Sequence, residues 1–414
     1  MRSLFRNTMF RRLFAGRLVT NAGDSLYYIA AMWLVYDLGG SAFYTGLAGA
    51  LILLPQALQF LTGPLVDRWS LRRTLVGTQV IQGVLLLIVP LAAATGWLTV
   101  TVILIVIPVA AMINQFVYPA QSAALPRIVE KNELVDANSA FSVAYSGVDF
   151  VFTAFGGILI ALVGAVSLYL IDSVTFAVAA LVFAGLHVPN AEQPDTEPAT
   201  SAVSDYFDKL SEGIQYIRAT VIVPVLGTFV LANIAVYATI AVLPVFADAR
   251  GGSGTYGMLL AGISVGIFIG ALAAPRLKSV PMHLLGAIGY GLGGVAWLAA
   301  IQVQWLPLTT ALICLAAIPL GVMDTIVMAM IQSLVPERLV GRVTAVTIST
   351  SGVAKPVGSM LGGIAAESVG INFVMAALTI GLFSMTVFWI AHPLLRHVPA
   401  VDEIDPAKYG LRSI

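Results

Sequence analysis

The sequence predicts an all-α integral membrane protein whose twelve transmembrane helices form two pseudo-symmetric six-helix bundles. Hydrophobic residues make up 59% of the 414 residues and charged residues only 10%, whereas a soluble chain is about 25% charged. Apolar stretches long enough to cross about 30 Å of hydrocarbon recur along the chain. The two halves also share short motifs at a nearly constant offset. A soluble protein is excluded, and so is a nucleic-acid binder, which needs a clustered basic surface.

Each long apolar stretch is expected to form a helix, because lipid cannot satisfy the open edge of a strand. The first six stretches lie at roughly 14–38, 43–66, 74–95, 98–122, 138–163 and 165–188. The other six lie at roughly 221–247, 254–275, 281–302, 305–332, 340–366 and 370–393. We refer to them as spans 1 to 12.

The first span follows a basic segment that has the character of a signal-peptide start. Residues 1–13 carry Arg2, Arg6, Arg11 and Arg12. The span itself is long, contains Asn21 and Asp24, and lacks a clear cleavage site. We therefore interpret it as an uncleaved first helix.

Basic residues are concentrated on one predicted side of the membrane. With the N-terminus inside, cytoplasmic loops carry eleven of the 21 lysines and arginines, and the tails, with Arg17 counted among them, carry eight. Cytoplasmic loops of membrane proteins are enriched in these residues. The distribution predicts a multi-pass plasma-membrane protein, embedded in the lipid bilayer, with both termini in the cytoplasm.

The longest interruption between spans divides the chain into six helices and six. The predicted parts are an N-terminal bundle (1–188), a cytoplasmic linker (189–220), a C-terminal bundle (221–396) and a cytoplasmic tail (397–414). Within the linker, Phe207, Leu210, Ile214 and Ile217 recur at helical spacing beside charged residues. This pattern predicts an amphipathic helix at the cytoplasmic interface.

The two halves of the chain resemble each other at an offset of about 206 residues. The segment Gly63–Asp67 corresponds to Gly270–Ala274, and Gly156-Gly157 corresponds to Gly362-Gly363. Their common order and spacing indicate an internal duplication. Parallel six-helix repeats of this kind organise one large class of transporters.

The loop between spans 2 and 3 carries the most specific motif. It reads Gly63-Pro-Leu-Val-Asp67-Arg68-Trp-Ser-Leu-Arg72-Arg73. It resembles the cytoplasmic motif Gly-x-Leu-x-Asp-Arg-x-Gly-Arg-Arg of the major facilitator superfamily, with Ser70 in place of the second glycine and Leu71 in place of one basic residue. Asn21-x-Gly-Asp24, residues 41–55 and Asp67-Arg68-Trp69 are most similar to the macrolide-efflux and enterobactin-exporter branch of that superfamily.

The resemblance implies that this loop is a conformational latch on the cytoplasmic side of the two halves. The implied latch residues are Gly63, Asp67, Arg68, Arg72 and Arg73. Asp67 can accept hydrogen bonds at the start of a facing helix, where the helix dipole favours an acid. The second-half copy has Ala274 instead, so a latch would be asymmetric. The alternative is that the basic residues serve only to orient the chain.

Ionisable residues inside spans are costly in lipid and are functional hypotheses by default. They are Asp24, Asp149, Asp172, Asp324 and Lys355. Asp24 is the first choice for proton exchange or for contact with a cationic substrate, because a low dielectric favours the neutral acid. The alternative is a structural acid bonded to Asn21 or Tyr27. Asp324 is a similar candidate. Its repeat counterpart Asn114, and Asn21 beside Asp24, are also candidate proton-coupling or substrate-cavity residues. Asp172 is expected to cap or anchor span 6.

Asp149 and Lys355 occupy equivalent positions in the repeat. In the superfamily that the chain resembles, helices 5 and 11 line the interface between the two halves. A direct or water-bridged pair is therefore geometrically possible when the cavity closes. The alternative is that each charge separately faces a hydrated cavity.

Glycine-rich segments in spans 5 and 11 are expected to pack against neighbouring helices. Gly358-Ser-Met-Leu-Gly362-Gly363 resembles the antiporter motif that is usual in helix 5, with Ser359 for proline. Span 5 keeps only Gly156-Gly157. The better copy thus lies in span 11, so this motif by itself does not define an antiporter.

Together these features predict a secondary transporter that works by alternating access and exports amphiphilic small molecules (drug, macrolide or siderophore type) in exchange for protons. A proton-coupled importer of a small solute and a lysolipid transporter remain alternatives. A non-transporting receptor or scaffold is a remote alternative, because it would need a large surface outside the membrane for a partner and the loops are too short to form one. The sequence shows no pairing of a nucleophile with a base, so it does not predict an enzyme. One cysteine, Cys314, and four scattered histidines predict neither a metal site nor a cofactor. A monomer is expected.

Overall fold

The computed structural model describes residues 4–57, 70–188, 211–218 and 220–404. Within these ranges the regular secondary structure is helical, with a few short 3-10 turns and no strand. The helices of the first half are α1 (Thr8–Gly39), α2 (Ala42–Ala57), α3 (Leu71–Ala94), α4 (Val100–Asn114), α5 (Val117–Ile128), α6 (Leu134–Val163) and α7 (Ala165–Ala184).

The second half repeats this arrangement of long helices. They are α8 (Ile222–Asp248), α9 (Ser253–Leu277), α10 (Met282–Gln302), α11 (Leu306–Leu334), α12 (Glu337–Val369) and α13 (Ile371–Ala391). In the described part of the chain, nine helical segments are long and apolar enough to cross a membrane, and α4 and α5 together form one of them.

Two glycines show the internal repeat in the backbone itself. Gly164 joins α6 to α7 with φ 80° and ψ 152°, and Gly370 joins α12 to α13 with φ 94° and ψ 154°. Both conformations lie at positive φ, which residues with a Cβ rarely adopt. The same sharp junction therefore occurs at equivalent places in the two halves.

Span 4 is not one continuous helix, in contrast to its prediction. It is divided into α4 and α5 at Gln115 and Phe116, whose amide groups donate to carbonyls three residues earlier at 3.2 Å. Pro119 gives the physical reason. It has no N–H to donate to the carbonyl of Gln115, and its ring crowds that carbonyl.

The described residues cluster into two compact units. Unit 1 comprises Met1–Gly40 and Leu51–Asp205, and unit 2 comprises Ser41–Ala50 and Tyr206–Ile414. In unit 1, α7 packs between α1 and α3, and α1 also packs on α6. At one end of unit 1, buried Phe10 meets the ring of Phe141 edge-on at 5.8 Å. This apolar cluster fixes the start of α1 and so places its polar residues.

Unit 2 is held together by close approach of helix backbones. Gly262, Gly266 and Gly270 of α9 lie one turn apart and face carbonyl groups of α11. A Cβ at Gly262 would lie 2.9 Å from the carbonyl oxygen of Thr310, and the other two positions are tighter. Membrane helices use small residues in this way because close backbone packing replaces the hydrophobic drive that lipid removes.

The helical segment 211–217 packs on the start of α12. Gly213 lies against the backbone of Arg342, and Glu212 forms an ion pair with the Arg342 side chain. Ile217 is buried, whereas Ile214 is 47% exposed. Of the predicted apolar face, Phe207 and Leu210 lie outside the described residues.

Candidate functional site

Asp24 lies on α1 and contacts the end of α4. The Asn114 side-chain amide donates a hydrogen bond of 3.2 Å to Asp24 Oδ2. The other oxygen, Oδ1, is buried and has no hydrogen-bond partner among the described residues. Neither Asn21 nor Tyr27 is the partner of this acid. Asn114, a predicted site residue and the repeat counterpart of Asp324, is therefore a direct neighbour of Asp24.

Asp149 of α6 binds one turn of α1. Ser25 donates to Asp149 Oδ1 at 2.6 Å, and the Asn21 amide donates to the same oxygen at 3.4 Å. The Asp149 side chain is exposed. Asp149 is therefore bonded to residues on either side of Asp24 in the chain. Two carboxyl groups of unit 1, those of Asp24 and Asp149, thus lie at the same stretch of α1.

Arg17 is a site residue that the sequence analysis missed. It was counted with the cytoplasmic tail, and the structure places it inside α1, where it is only 6% exposed. Its Nε donates to Gln121 Oε1 at 2.7 Å and to the Tyr145 hydroxyl at 3.1 Å. Nη1 donates to the Thr20 hydroxyl at 3.2 Å. These neutral groups solvate a cation that attracts Asp24 two turns further along the helix.

The position of Arg17 within predicted span 1 was the signal that could have revealed this site. An arginine inside an apolar span must find buried partners or reach the membrane surface. Here the partners come from α5 and α6, far along the chain, so the sequence by itself did not identify them.

Asp172 does not cap its helix. The N-cap of α7 is Gly164, and Asp172 lies two turns inside the helix, fully buried. The hydroxyl of Thr175 donates to Asp172 Oδ1 at 2.9 Å. A Cβ at Gly23 of α1 would overlap this carboxyl group. Asp172 therefore occupies a niche that exists because residue 23 has no side chain.

Unit 2 has its own group of charges. The ammonium group of Lys355 on α12 lies 5.5 Å from the centre of the Tyr237 ring on α8, a cation–π contact. Lys355 and Asp324 of α11 attract each other electrostatically, and Asp324 also lies within electrostatic range of Tyr290 of α10. Four helices thus each contribute one side chain to a cluster of charged residues and tyrosines.

Most of the predicted latch lies outside the described residues, namely Gly63, Asp67 and Arg68. Arg72 and Arg73 begin α3 and are exposed. Arg72 donates to the carbonyl of Ala184, and Arg12 donates to the carbonyl of Gly185. Carbonyls at the end of a helix lack partners within it and favour cations. These two arginines therefore cap the C-terminus of α7.

The predicted packing glycines make close contacts within their units. A Cβ at Gly358 or Gly362 would meet the α8 backbone at Ile234 or Ala238, and one at Gly363 would meet Gly46. Gly156 faces the side chain of Ile29, and Gly157 is buried.

The site chemistry in both units is that of carboxyl groups and cations held inside apolar helices. Such groups can bind and release protons or pair with a charged solute. Ionisable residues inside the spans of a helical membrane protein mark pathways for solutes, ions or protons.

Comparison with solved structures shows that the chain shares its fold with bacterial membrane transporters. The bacterial homolog to the human lysosomal transporter Spinster, in an inward-facing and unoccupied conformation, has a TM-score of 0.70 at 14% identity and 96% coverage of both chains. The nucleoside transporter NupG has a TM-score of 0.65 at 11% identity, over 92% of this chain and 99% of that chain. The predicted all-α membrane fold is confirmed.

The chain belongs to the transmembrane secretion effector family of the major facilitator superfamily, whose family model matches residues 2–409. It is 25% identical to the multidrug efflux pump Tap of Mycobacterium tuberculosis strain H37Rv over 414 residues, which is 98% of each chain. It is 22% identical to macrolide efflux protein A of Streptococcus pyogenes over 379 residues, which is 88% of this chain and 90% of that protein. The predicted resemblance to the macrolide-efflux branch is confirmed, and the protein is a multi-pass membrane transporter.

Proposed function

We propose that this transporter exports amphiphilic small molecules across the plasma membrane in exchange for protons. The relatives named for multidrug and macrolide efflux support the direction and the substrate class. The proposed arrangement has bundles at 1–188 and 221–396, a cytoplasmic linker at 189–220 and a cytoplasmic tail at 397–414. Both termini are cytoplasmic, and the monomer is the working form.

The proposal of proton exchange depends on the environment of the Asp24 carboxyl group. One of its oxygens is bonded to Asn114, and the other is buried without a partner among the described residues. A buried carboxyl oxygen without a donor is costly when it is charged. A proton on the carboxyl group, or the cationic group of a substrate, removes that cost. Asp24 can therefore hold a proton in one conformation and exchange it for substrate in another.

The polar groups of unit 1 favour a neutral or cationic amphiphile as the transported molecule. Asp24 lies on α1 and Asp149 bonds to α1, so both provide negative charge there, while Arg17, the cation of α1 that attracts Asp24, is enclosed by Gln121 and Tyr145. An anionic solute would meet two carboxyl groups without access to that arginine. Alternating access then brings the substrate and the proton to the same helix in turn.

The test compares Asp24→Asn with the wild type in inside-out vesicles from an export-deficient host. We expect a lipophilic cation such as tetraphenylphosphonium, or a macrolide, to enter wild-type vesicles and to dissipate an imposed proton gradient. Asp24→Asn should abolish both effects, because the amide cannot carry a proton. The matched control is Asp37→Asn, which makes the same change at an exposed acid of the same helix.

Three outcomes would contradict the proposal. Uptake that runs only into right-side-out vesicles would indicate an importer. Movement of a lysolipid without movement of either probe would indicate a lipid transporter. Solute movement that leaves the proton gradient intact would exclude proton exchange.

A further inference from the structure

Asp172 and Asp24 belong to α7 and α1, two helices that pack against each other. The carboxyl group of Asp172 fills the space over Gly23, the residue that precedes Asp24. The two carboxyl groups interact electrostatically. Because α1 and α7 are tightly packed, neither side chain can move away without opening that contact.

Several polar atoms at this contact have no hydrogen-bond partner among the described residues. They are Asp24 Oδ1, Asp172 Oδ2 and the Tyr169 hydroxyl. Asp172 and Tyr169 are fully buried and lie three residues apart on the same side of α7. Natural proteins rarely leave buried polar atoms without partners, and such atoms often mark residues with a chemical role.

The charges around the pair do not neutralise it. From α1 it meets Arg17, which attracts Asp24, and the phenol of Tyr27. From α4 it meets the neutral amide of Asn114, and from α6 the acid Asp149, which repels Asp24. On α3, the charged residues Arg72 and Arg73 lie in the first turn, where Arg72 bonds to the far end of α7 at Ala184. One cation, Arg17, thus stands against three carboxyl groups.

We propose that Asp172 is a second proton-binding residue and that it shares one proton with Asp24. This inference rests on the proposed function and extends it to a residue pair. In the closed contact between α1 and α7, one of the two acids is neutral, and its O–H donates to an oxygen that otherwise has no donor. When the contact opens, that O–H bond breaks, the proton passes to water, and both acids carry a negative charge.

A purely structural role for Asp172 accounts less well for the geometry. An ionised anchor would be expected to accept several hydrogen bonds, as buried charges do. Asp172 has the hydroxyl of Thr175 on one oxygen and no partner among the described residues on the other. The glycine at position 23 also keeps the acid close to Asp24, whereas an anchor needs no such neighbour.

Infrared spectroscopy of the protein in proteoliposomes tests the pair without any substrate. The C=O stretch of a protonated carboxyl group is separate from that of a carboxylate. We expect the wild type to show a protonated, buried carboxyl band at about pH 7, where an ordinary acid is ionised. Asp172→Asn should remove or shift this band, Asp172→Glu should keep a band at a changed frequency, and the control Asp37→Asn should leave it unchanged.

Two results would overturn the inference, and the first of them needs only the wild-type protein. Absence of the band in the wild type at that pH would overturn it directly, and so would an identical band in wild type and Asp172→Asn. Failure of the proposed function would give a different result. The wild type would then show no proton-coupled transport, while the carboxyl band and its response to Asp172→Asn would still be observed.

Discussion

Arg17 is a buried cation whose hydrogen bonds all go to neutral groups. Gln121 and Tyr145 reach it from α5 and α6, and the Tyr145 hydroxyl also donates to Gln121. Such an arrangement stabilises a charge without cancelling it. The positive field therefore remains available to Asp24, two turns along α1.

Substitution of Arg17 separates the role of its charge from the role of its contacts. Both Arg17→Lys and Arg17→Met lose the forked hydrogen bonds, which should cost about 1–3 kcal/mol of stability. Only Arg17→Met removes the charge, and we expect it to lower proton-driven transport by about tenfold or more relative to Arg17→Lys. Initial rates in inside-out vesicles, corrected for folded protein, measure the difference. Equal rates in the two variants would show that the charge has no role.

At the scale of elements, helix ends in this protein are capped by side chains from other helices. Arg72 and Arg12 satisfy the C-terminal carbonyls of α7. At the start of α2, Glu367 from the end of α12 accepts hydrogen bonds from the Ser41 hydroxyl and the Phe43 N–H, within unit 2. An acid at a helix N-terminus is favoured by the exposed N–H groups and by the helix dipole.

The Glu367 cap predicts a pH-dependent contribution to stability. Glu367 lies one residue beyond predicted span 11, and hydrogen bonds from Ser41 and from the backbone of Phe43 lower the pKa of its carboxyl group. A carboxylate with a lowered pKa stabilises the fold above its ordinary pKa, and this contribution is lost as the pH falls through the lowered value. The Ser41 hydroxyl also accepts a hydrogen bond from the Phe43 N–H at 3.1 Å, and this bond does not depend on pH. Ser41→Ala should therefore lower the melting temperature more at about pH 7 than at about pH 3.

The matched control is Ser368→Ala, which removes an exposed hydroxyl of α12 that bonds only to carbonyls of its own helix. Its effect on the melting temperature should be the same at both pH values. An effect of Ser41→Ala that is equal at both pH values would show that the serine contributes through its own bond to Phe43 or through packing, and not through Glu367.

For the whole molecule, the sided distribution of basic residues predicts the orientation in the membrane. Most lysines and arginines fall in the loops that we place in the cytoplasm. Trp97, between α3 and α4, is then extracellular, and Glu130, between α5 and α6, is cytoplasmic. Both residues are exposed in the structure.

Cysteine labelling checks this orientation. The natural Cys314 is first replaced by alanine, and Trp97→Cys or Glu130→Cys is then introduced. A membrane-impermeant maleimide should label Trp97→Cys in intact cells and should label Glu130→Cys only after the membrane is permeabilised. The reverse pattern would place both termini outside and would contradict the orientation.

The sequence by itself determined that the chain is a helical membrane transporter of the major facilitator type. Burial of about 20 apolar residues per span requires helices in lipid, and the repeat and the loop motif identified the class. Sequence also singled out Asp24, Asp149, Asp324 and Lys355, because charge inside a span is conspicuous. The predicted pairing of Asp149 with Lys355 stays a prediction.

Only the tertiary structure decided which residues surround each charge. Asn114 reaches Asp24 from 90 positions away, Gln121 reaches Arg17 from 104 positions away, and Asp172 fits over Gly23. In a membrane, both the lipid-facing and the protein-facing sides of a helix are apolar, so hydrophobic periodicity does not reveal which side is buried. The partners of a charged residue therefore follow from how the helices pack and not from the pattern along any one of them.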